Sequence, residues 1–314
     1  NNLAILGLAR MADRTERKGI VTCAIEHKAV LMPCNKLKDN GFEITILPVD
    51  RLGRVALDAV REAVSERTLL VTIQAANNEI GTVQPIKTIV EIAHKQGALV
   101  HCDAAQAVGK ISVDVVDWDV DMLSMSAHKL YGPKGIGALF VRGGRRSIPI
   151  EPLYYGGGHE HGLRPGTANV PAIVGMGEAC HLCDERLLQD GIELEQLRNL
   201  LEMLLQAAIP DLVINGDRQN RLPNTSSLIL PGVDADALLL NSPEVMLGTG
   251  SACTSGAVEP SHVLQAIGLS RHDAQSTFRA SLGRGLVAID VERAAASLVN
   301  AWNRLTAPNA HTVG

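Results

Sequence analysis

Residues 98–141 read ALVHCDAAQAVGKISVDVVDWDVDMLSMSAHKLYGPKGIGALFV, and the pattern of this stretch indicates the fold. It holds three short apolar runs, and three similar runs precede it, so that six lie at residues 19–25, 42–48, 69–74, 98–103, 120–126 and 135–141. Each run has the length and the β-branched or aliphatic content of a buried strand. Helical patterns lie between several of them, at residues 57–64 and 86–95. Strands that alternate with helices predict an α/β fold with a doubly wound, mostly parallel sheet.

The composition of the 314 residues is that of an ordinary globular protein. Hydrophobic residues make up 46% and charged residues 20%, which excludes a disordered or a collagen-like chain. The formal net charge of −5 argues against a nucleic-acid partner, because such partners select basic surfaces. No apolar run approaches the roughly 18 residues that a membrane span needs. We therefore expect neither nucleic acid nor a membrane as a partner.

The composition of the sequence changes after residue 142. Residues 142–166 are rich in glycine and arginine, and a long helical pattern then runs from residue 171 to about residue 208. We predict a large domain over residues 1–178, a connecting helix over residues 179–205 and a smaller α+β domain over residues 206–314. The first residue is Asn, and an apolar helical stretch begins almost at once. We therefore expect that the N-terminal part of the large domain is missing.

Two polar residues at predicted strand ends suggest a catalytic site. Asp103 ends one apolar run, and Lys129 follows the next. Ligands of open α/β sheets bind at the carboxyl ends of the strands. Taken alone, Asp103 is interpreted as a helix cap or turn residue and Lys129 as a solvated surface charge. Together, one strand–helix–strand unit apart, they match enzymes of pyridoxal phosphate (PLP), in which a Lys binds the cofactor and an Asp keeps its pyridine nitrogen protonated.

A cysteine in a loop of small residues is the next candidate. Cys253 lies within GTGSACTSG at residues 248–256, and reactive thiols are accessible ones. The other cysteines fall mostly on apolar runs and are interpreted as small core residues: Cys23, Cys34, Cys102, Cys180 and Cys183. Their spacing fits no disulfide framework. We therefore expect a reducing compartment, the cytoplasm.

A metal site is the competing interpretation. His159 and His161 form one ligand-like pair, and His181 and Cys183 form another. Neither has a second pair at the spacing of a zinc site, and HExxH does not occur. The sequence predicts no metal.

Two residues could bind anions. Thr167 ends the glycine-rich loop just before the long helix, so that it and nearby amides could bind a phosphate. Arg279 projects from the apolar segment FRASL. Its guanidinium either grips a substrate carboxylate or forms an internal salt bridge.

With these motifs in order, the chain resembles the NifS/IscS-type cysteine desulfurases over nearly its whole length. The matching segments are Glu26-His27-Lys28-Ala29-Val30, Asn77-Asn78-Glu79-Ile80-Gly81, Asp103-Ala104-Ala105-Gln106, Ser126-Ala127-His128-Lys129, Tyr131-Gly132-Pro133-Lys134-Gly135, Gly156-Gly157-Gly158-His159-Glu160, Arg164-Pro165-Gly166-Thr167, Gly250-Ser251-Ala252-Cys253-Thr254-Ser255 and Ser281-Leu282-Gly283-Arg284. Nine matching motifs in the same sequence order are a specific signal of this family. The resemblance implies an aspartate-aminotransferase-like fold of PLP fold type I, with the smaller α+β domain carrying the cysteine loop.

The resemblance also implies a role for each matching residue. Lys129 would bind PLP covalently, and Asp103 would pair with its pyridine nitrogen. Gln106 would hydrogen-bond the ring oxygen, and His27 would stack on the ring and take part in catalysis. Three residues would bind the phosphate: Ser126, His128 and, from the partner subunit of a homodimer, Thr167.

The remaining roles concern the substrate, L-cysteine. Asn78, beside the cofactor, and Arg279 would hold its carboxylate. Cys253 would take its sulfur atom as a persulfide, leaving L-alanine. The persulfide would then pass to an acceptor protein, an iron–sulfur scaffold or another, for cluster or thio-cofactor assembly.

The chain departs from the family at both ends. By the resemblance, we expect a phosphate-binding Gly-Ala-Thr turn of the family to lie before Asn1, and we expect the end of this chain to lack the longer tail that engages a scaffold protein. Selenocysteine lyase, or another PLP enzyme of this fold, is the alternative within the enzyme class. A fragment that keeps the fold without catalysis is the alternative outside it.

Overall fold

The computed structural model describes residues 1–12, 16–249, 251–254 and 257–307, and of residues 251–254 and 257–259 it describes the backbone alone. The chain forms two units. The first contains Asn1–Asp50, Arg54–Asn78 and Val83–Leu187. The second contains Arg51–Gly53, Glu79–Thr82 and the chain from Leu188 onward.

The first unit is built on a mostly parallel sheet, six-stranded within the described residues. Its strands are β1 (Gly19–Cys23), β2 (Glu43–Leu47), β3 (Thr68–Thr72), β4 (Leu99–Asp103), β5 (Met122–Ser126) and β6 (Gly137–Val141). They lie in the order β2-β1-β3-β4-β5-β6, and only the pairing of β5 with β6 is antiparallel. The predicted α/β class with a mostly parallel sheet is confirmed.

Helix α1 (Asn2–Ala9) precedes β1, and three helices connect the first four strands: α2 (Lys28–Lys38), α3 (Leu57–Ala63) and α4 (Ile86–Lys95). Helix α4 buries Ile86, Ile89, Val90 and Ala93, which share one face at helical spacing. It ends because Gly97 takes a left-handed φ of 68°, which lets the next amide return to the Ala93 carbonyl at 3.1 Å.

The core of this unit is almost entirely aliphatic. On one side of the sheet, α1 and α2 pack their buried residues against the strands, including Ile5, Leu8, Val30, Ile20, Leu70 and Met122. Burying such a side chain stabilises a fold by about 1.5–3 kcal/mol. The low aromatic content of the sequence, 3%, is therefore compensated by branched aliphatic packing.

Helix α5 (Val170–Ala208) is 39 residues long. Its first part belongs to the first unit and its second part, from Leu188, to the second. Both domain boundaries expected from the sequence, at residues 178 and 205, fall inside it. The proposed three-part division stays a prediction. None of the described helices is long and apolar enough to cross a membrane.

After α5, the second unit contains six strands and four helices within the described residues. The strands are β7 (Val213–Asn215), β8 (Thr225–Ile229), β9 (Gly248–Thr249), β10 (Ser251–Thr254), β11 (Ala257–Pro260) and β12 (Thr277–Ser281). The helices are α6 (Ala235–Leu240), α7 (His262–Ala266), α8 (Arg271–Gln275) and α9 (Ala288–Thr306). An antiparallel sheet has the order β7-β8-β12-β9, and β10 pairs with β11 as a hairpin. Leu205, Leu228, Phe278 and Leu298 lie in its core.

Two short segments from the N-terminal half complete the second unit, a feature that the sequence pattern does not predict. The Gly81 carbonyl accepts a hydrogen bond from the Leu222 amide at 2.8 Å. The Thr82 hydroxyl accepts one from the Asp217 amide at 3.0 Å. Ser261 donates to the Glu79 carboxylate at 2.5 Å.

A buried ion pair also stabilises the second unit. Arg221 donates two hydrogen bonds to Glu202, at 2.6 and 2.9 Å, and the two side chains are 4% and 3% exposed. Ser226 donates a further bond to Glu202 at 2.6 Å. Burial acts to raise the pKa of Glu202, but the hydrogen bonds from Arg221 and Ser226 outweigh it and lower that pKa. Each partner thus depends on the other.

Candidate active site

Polar residues follow four neighbouring parallel strands of the first unit at the same edge of the sheet. His27 follows β1, Asn78 follows β3, Asp103 ends β4 and Lys129 follows β5. Strands β1, β3, β4 and β5 lie side by side and run in one direction. The sheet therefore places these four predicted site residues along one carboxyl edge, where ligands of such sheets bind.

Asp103 is held from both oxygens. Its side chain is nearly buried; Oδ1 accepts from the Ala105 amide at 3.0 Å and Oδ2 from the Asn1 side-chain amide at 2.6 Å. The bond to Ala105 is the turn contact expected of a strand-end Asp. The carboxylate orientation is thus set by the local backbone on one side and by the Asn1 side chain on the other.

A neutral histidine lies two residues before Asp103 in β4. The His101 ring is buried between the hydroxyls of Thr72 and Ser124, each 2.8 Å from a ring nitrogen. Burial lowers the pKa of His101 to about 3. Because Thr72, His101 and Ser124 belong to β3, β4 and β5, an uncharged chain of hydrogen bonds joins these three strands next to Asp103.

The segment that carries Lys129 is a tight turn after β5. Ser126 ends the strand, and its hydroxyl lies 3.0 Å from Nδ1 of His128. His128 and Lys129 are exposed. The Gly132 amide closes the turn onto the Ala127 carbonyl at 2.9 Å, and a Cβ at residue 132 would lie 3.0 Å from that same oxygen. Glycine is needed here for the close approach.

His27 and Gln106 have defined partners at the same edge. His27 is the N-cap of α2, and its Nδ1 accepts from the Ala29 amide at 3.1 Å. That bond leaves the proton of the neutral ring on Nε2. The Gln106 side-chain oxygen accepts from Lys110 at 2.8 Å, so a donor role would use its amide nitrogen.

Sequence reasoning assigned no role to Glu26, which the structure buries at this edge. Its Oε1 accepts a hydrogen bond from the Gln74 amide at 2.5 Å and one from the Cys23 thiol at 3.3 Å. Burial raises the pKa of Glu26 to about 8, and the charge of Asp103 adds to that shift. The available signal was an acidic residue three positions after a short strand whose side chains are buried on both faces.

Arg279 and Cys253 lie in the second unit. Arg279 is half-buried in β12, where it is paired with Ser227 of β8 and Gly248 of β9. A Cβ at residue 248 would lie 3.0 Å from the guanidinium, so glycine makes room for Arg279. The backbone of Cys253 lies in β10, opposite Val258 of β11, while its side chain lies outside the described residues.

Thr167 is exposed in the segment that leads into α5 of the first unit. None of the contacts described for this residue bears on its role. Its proposed contact with a phosphate stays a prediction.

Within the described side chains, no group of three or more His, Cys, Asp or Glu residues is arranged to hold a metal ion. His181 and Cys183, the ligand-like pair on α5, have separate partners. His181 lies 3.4 Å from Glu185, while the buried Cys183 thiol is directed at the Leu130 carbonyl at 3.7 Å.

The model of the aminotransferase class-V family matches residues 1–293. The chain belongs to this family. The mitochondrial cysteine desulfurase of Arthroderma benhamiae is 44% identical over 90% of this chain and 56% of its own length. The mitosomal cysteine desulfurase of Encephalitozoon cuniculi is 41% identical, over 97% of this chain and 70% of its own length. The cysteine desulfurase IscS of Ehrlichia chaffeensis is 37% identical, over 97% and 74%.

Similar solved structures extend the comparison to the fold. A NifS-like protein superposes with a TM-score of 0.87 at 36% identity, over 95% of this chain and 78% of that one. SspA, solved in complex with cysteine, gives 0.76 at 39% identity, over 90% and 78%. The expected NifS/IscS-type resemblance and fold class are confirmed. The chain spans little more than half of the A. benhamiae relative.

Proposed function

We propose that the chain supplies the catalytic residues of a PLP-dependent cysteine desulfurase. The observation that carries the proposal is the alignment of His27, Asn78, Asp103 and Lys129 along the carboxyl edge of one sheet. The class-V relatives named cysteine desulfurase support the choice of reaction.

The residues at this edge fit PLP by their chemistry. A lysine amine can bind an aldehyde, a carboxylate can pair with a pyridine nitrogen, and hydroxyl and imidazole groups can bind a phosphate. Lys129, Asp103 and Gln106 would hold the ring, with His27 on its face. Ser126, His128 and the partner's Thr167 would hold the phosphate. Bound there, PLP would withdraw electrons from the amino acid and weaken the bonds at its Cα.

The rest of the reaction falls to side chains of the protein. Asn78 and Arg279 would bind the carboxylate of L-cysteine and orient it. The thiolate of Cys253 would attack the substrate sulfur, so that an S–S bond forms while the Cβ–S bond breaks. The carbon side gains a proton and leaves as L-alanine, and the sulfur stays on Cys253 as a persulfide. No outside oxidant or reductant is needed for this step.

The same proposal includes a homodimer. Large apolar side chains are exposed around the start of α5 in the first unit: Tyr154, Tyr155, Val170, Ile173 and Val174. Exposed apolar side chains of this size favour a protein partner. Thr167 belongs to the same segment, which agrees with its proposed action on the site of a second copy. An acceptor protein, an iron–sulfur scaffold or another, would then take the persulfide, and a cytoplasmic location remains the expectation from the cysteine usage.

The decisive experiment compares Cys253→Ala with Cys180→Ala, a half-buried cysteine of α5. Wild type and Cys180→Ala should release alanine from L-cysteine and sulfide in the presence of dithiothreitol, and Cys253→Ala should release neither. Lys129→Ala should lose the visible absorbance of bound PLP, while Lys134→Ala, an exposed neighbour, should keep it. Unchanged sulfide release by Cys253→Ala would remove that residue as the acceptor. Preferred release of alanine from selenocysteine would indicate the lyase instead.

A further inference from the structure

Glu26 lies at the point where β1 and β3 reach the edge that carries the proposed cofactor site. It is fully buried, and it directly precedes His27, the N-cap of α2. No step of the reaction proposed above uses it. A buried carboxyl group at such a place costs free energy, so its contacts require an explanation.

The contacts of Glu26 are part of a reciprocal set that joins two strand ends. The Glu26 carboxyl accepts from the Gln74 amide at 2.5 Å, across from β1 to the end of β3. In the other direction, the side-chain amides of Gln74 and Asn77 donate to the Ile25 carbonyl at 2.6 and 3.0 Å. Three hydrogen bonds thus tie residues 25–26 to residues 74–77. His27 and Asn78 are the next residues on the two sides of this connection.

We propose that Glu26 is a positioning residue of the cofactor site, whose carboxyl joins the ends of β1 and β3 and thereby sets the position of the His27 ring. The proposal rests on the proposed function, since it assumes that His27 stacks on PLP. It assigns Glu26 no contact with the substrate or the cofactor. Its action passes through the backbone at residues 25–27 and through the α2 N-cap.

The protonation state of Glu26 supports this role. The pKa of about 8 leaves the carboxyl neutral at neutral pH. Beside the adjacent His27, its titratable partners among the described residues include three thiols and one carboxylate: Cys23 of β1, Cys34 of α2, and Cys102 and Asp103 of β4. Burial raises the pKa of each thiol, so Asp103 is the one charged neighbour among them. A neutral Glu26 keeps its hydrogen bonds without placing a second negative charge near Asp103.

A neutral carboxyl makes a clear prediction for its replacements. Gln has the same length and an uncharged oxygen that can accept from the Gln74 amide, so Glu26→Gln should keep the connection. Glu26→Ala removes the acceptor and leaves the Gln74 amide buried without it. Glu26→Asp shortens the side chain by one methylene and withdraws the oxygen from that amide. A matched control is Glu43→Ala, an exposed carboxyl on β2.

The test measures PLP affinity by absorbance titration and the His27 ring by ¹⁵N NMR of the PLP-free protein. Glu26→Ala should shift the His27 Nδ1 signal. It should also weaken PLP binding about tenfold, because returning the displaced His27 ring to its position on binding would cost about as much free energy as one hydrogen bond provides. Glu26→Gln and Glu43→Ala should stay within about twofold of wild type with an unchanged ring signal. A purely structural role would lower stability without moving the ring signal.

The outcomes separate the two proposals. If Glu26→Ala binds PLP as wild type does and leaves the His27 signal in place, the positioning role is wrong. If Glu26→Ala does not fold, Glu26→Asp is judged by the same two measurements and the same thresholds. If wild type itself fails to bind PLP, the proposed function fails, and the ring signal of the variants still decides the role of Glu26.

Discussion

Glu26→Gln should remove a pH dependence from the stability of the first unit. The structure raises the pKa of Glu26 from 4.5 to about 8 because the carboxyl is buried and lies near the negative charge of Asp103. Folded protein therefore holds this proton where unfolded protein has released it. The contribution of Glu26 to stability is complete below about pH 4.5 and is lost as the pH rises through 8.

The size of this effect follows from the linkage between protons and folding. Within the window, each pH unit changes the free energy of unfolding by about 1.4 kcal/mol. The full window corresponds to roughly 5 kcal/mol, an upper value for a group that relaxes on ionisation. Gln does not titrate, so the stability of Glu26→Gln relative to wild type should increase from pH 5 to pH 7.5 with a slope near 1.4 kcal/mol per unit.

Urea unfolding of both proteins in the PLP-free state, at several pH values, measures this slope, and removing PLP avoids the stabilisation that a bound ligand adds. The exposed Glu43→Gln serves as the control and should show no slope over the same range. A stability difference between Glu26→Gln and wild type that stays constant with pH would refute the raised pKa. A folded protein that stabilised the ionised carboxylate would give that constant difference, because the carboxyl would then be ionised in both states above about pH 5.

Two other perturbations test the second unit. Arg221→Ala leaves the Glu202 carboxylate buried without its ion-pair partner and should lower the free energy of unfolding by about 3–5 kcal/mol. The control is Arg67→Ala, which breaks an exposed ion pair and should lower it by less than about 1 kcal/mol. Urea unfolding measures both losses, and equal losses would contradict the dependence on burial. Arg279→Ala should raise the KM for L-cysteine by about tenfold or more through loss of a charged hydrogen bond, and Gly248→Ala should raise it less because its Cβ displaces the guanidinium. Steady-state alanine formation gives both KM values, and unchanged values would favour an internal salt-bridge role for Arg279.

Much of the first unit could be predicted because its signals are local. Its strands are short apolar runs, and the observed bounds differ from the predicted ones by at most two residues. The apolar spacing of helix α4 and the glycine that ends it lie within one short stretch of sequence, and the helix spans residues 86–95 as predicted. The strand-end positions of Asp103 and Lys129 follow from the same pattern, since a parallel sheet aligns its carboxyl ends.

The features that could not be predicted depend on contacts between distant parts of the chain. Glu26 has the same local pattern as a solvated turn residue, but it is fully buried, and its carboxyl accepts a hydrogen bond from the amide of Gln74, 48 residues away in the sequence. The transfer of residues 51–53 and 79–82 to the second unit likewise has no local signal. Gly81 and Thr82 accept hydrogen bonds from the backbone amides of residues 222 and 217, and the Thr82 hydroxyl donates to the Leu52 carbonyl at 2.7 Å. No periodic pattern of the sequence reveals these contacts.

Because residues 51–53 and 79–82 belong to the second unit, the order in which the chain is synthesised affects how that unit folds. Gly81 and Thr82 leave the ribosome more than a hundred residues before Asp217 and Leu222, the partners whose amides they accept. The second unit therefore cannot finish folding from its own C-terminal residues, and the early segments must wait for it. A gene split after residue 187 would give a C-terminal product with these amides unsatisfied, and only co-expression with the N-terminal piece would restore them.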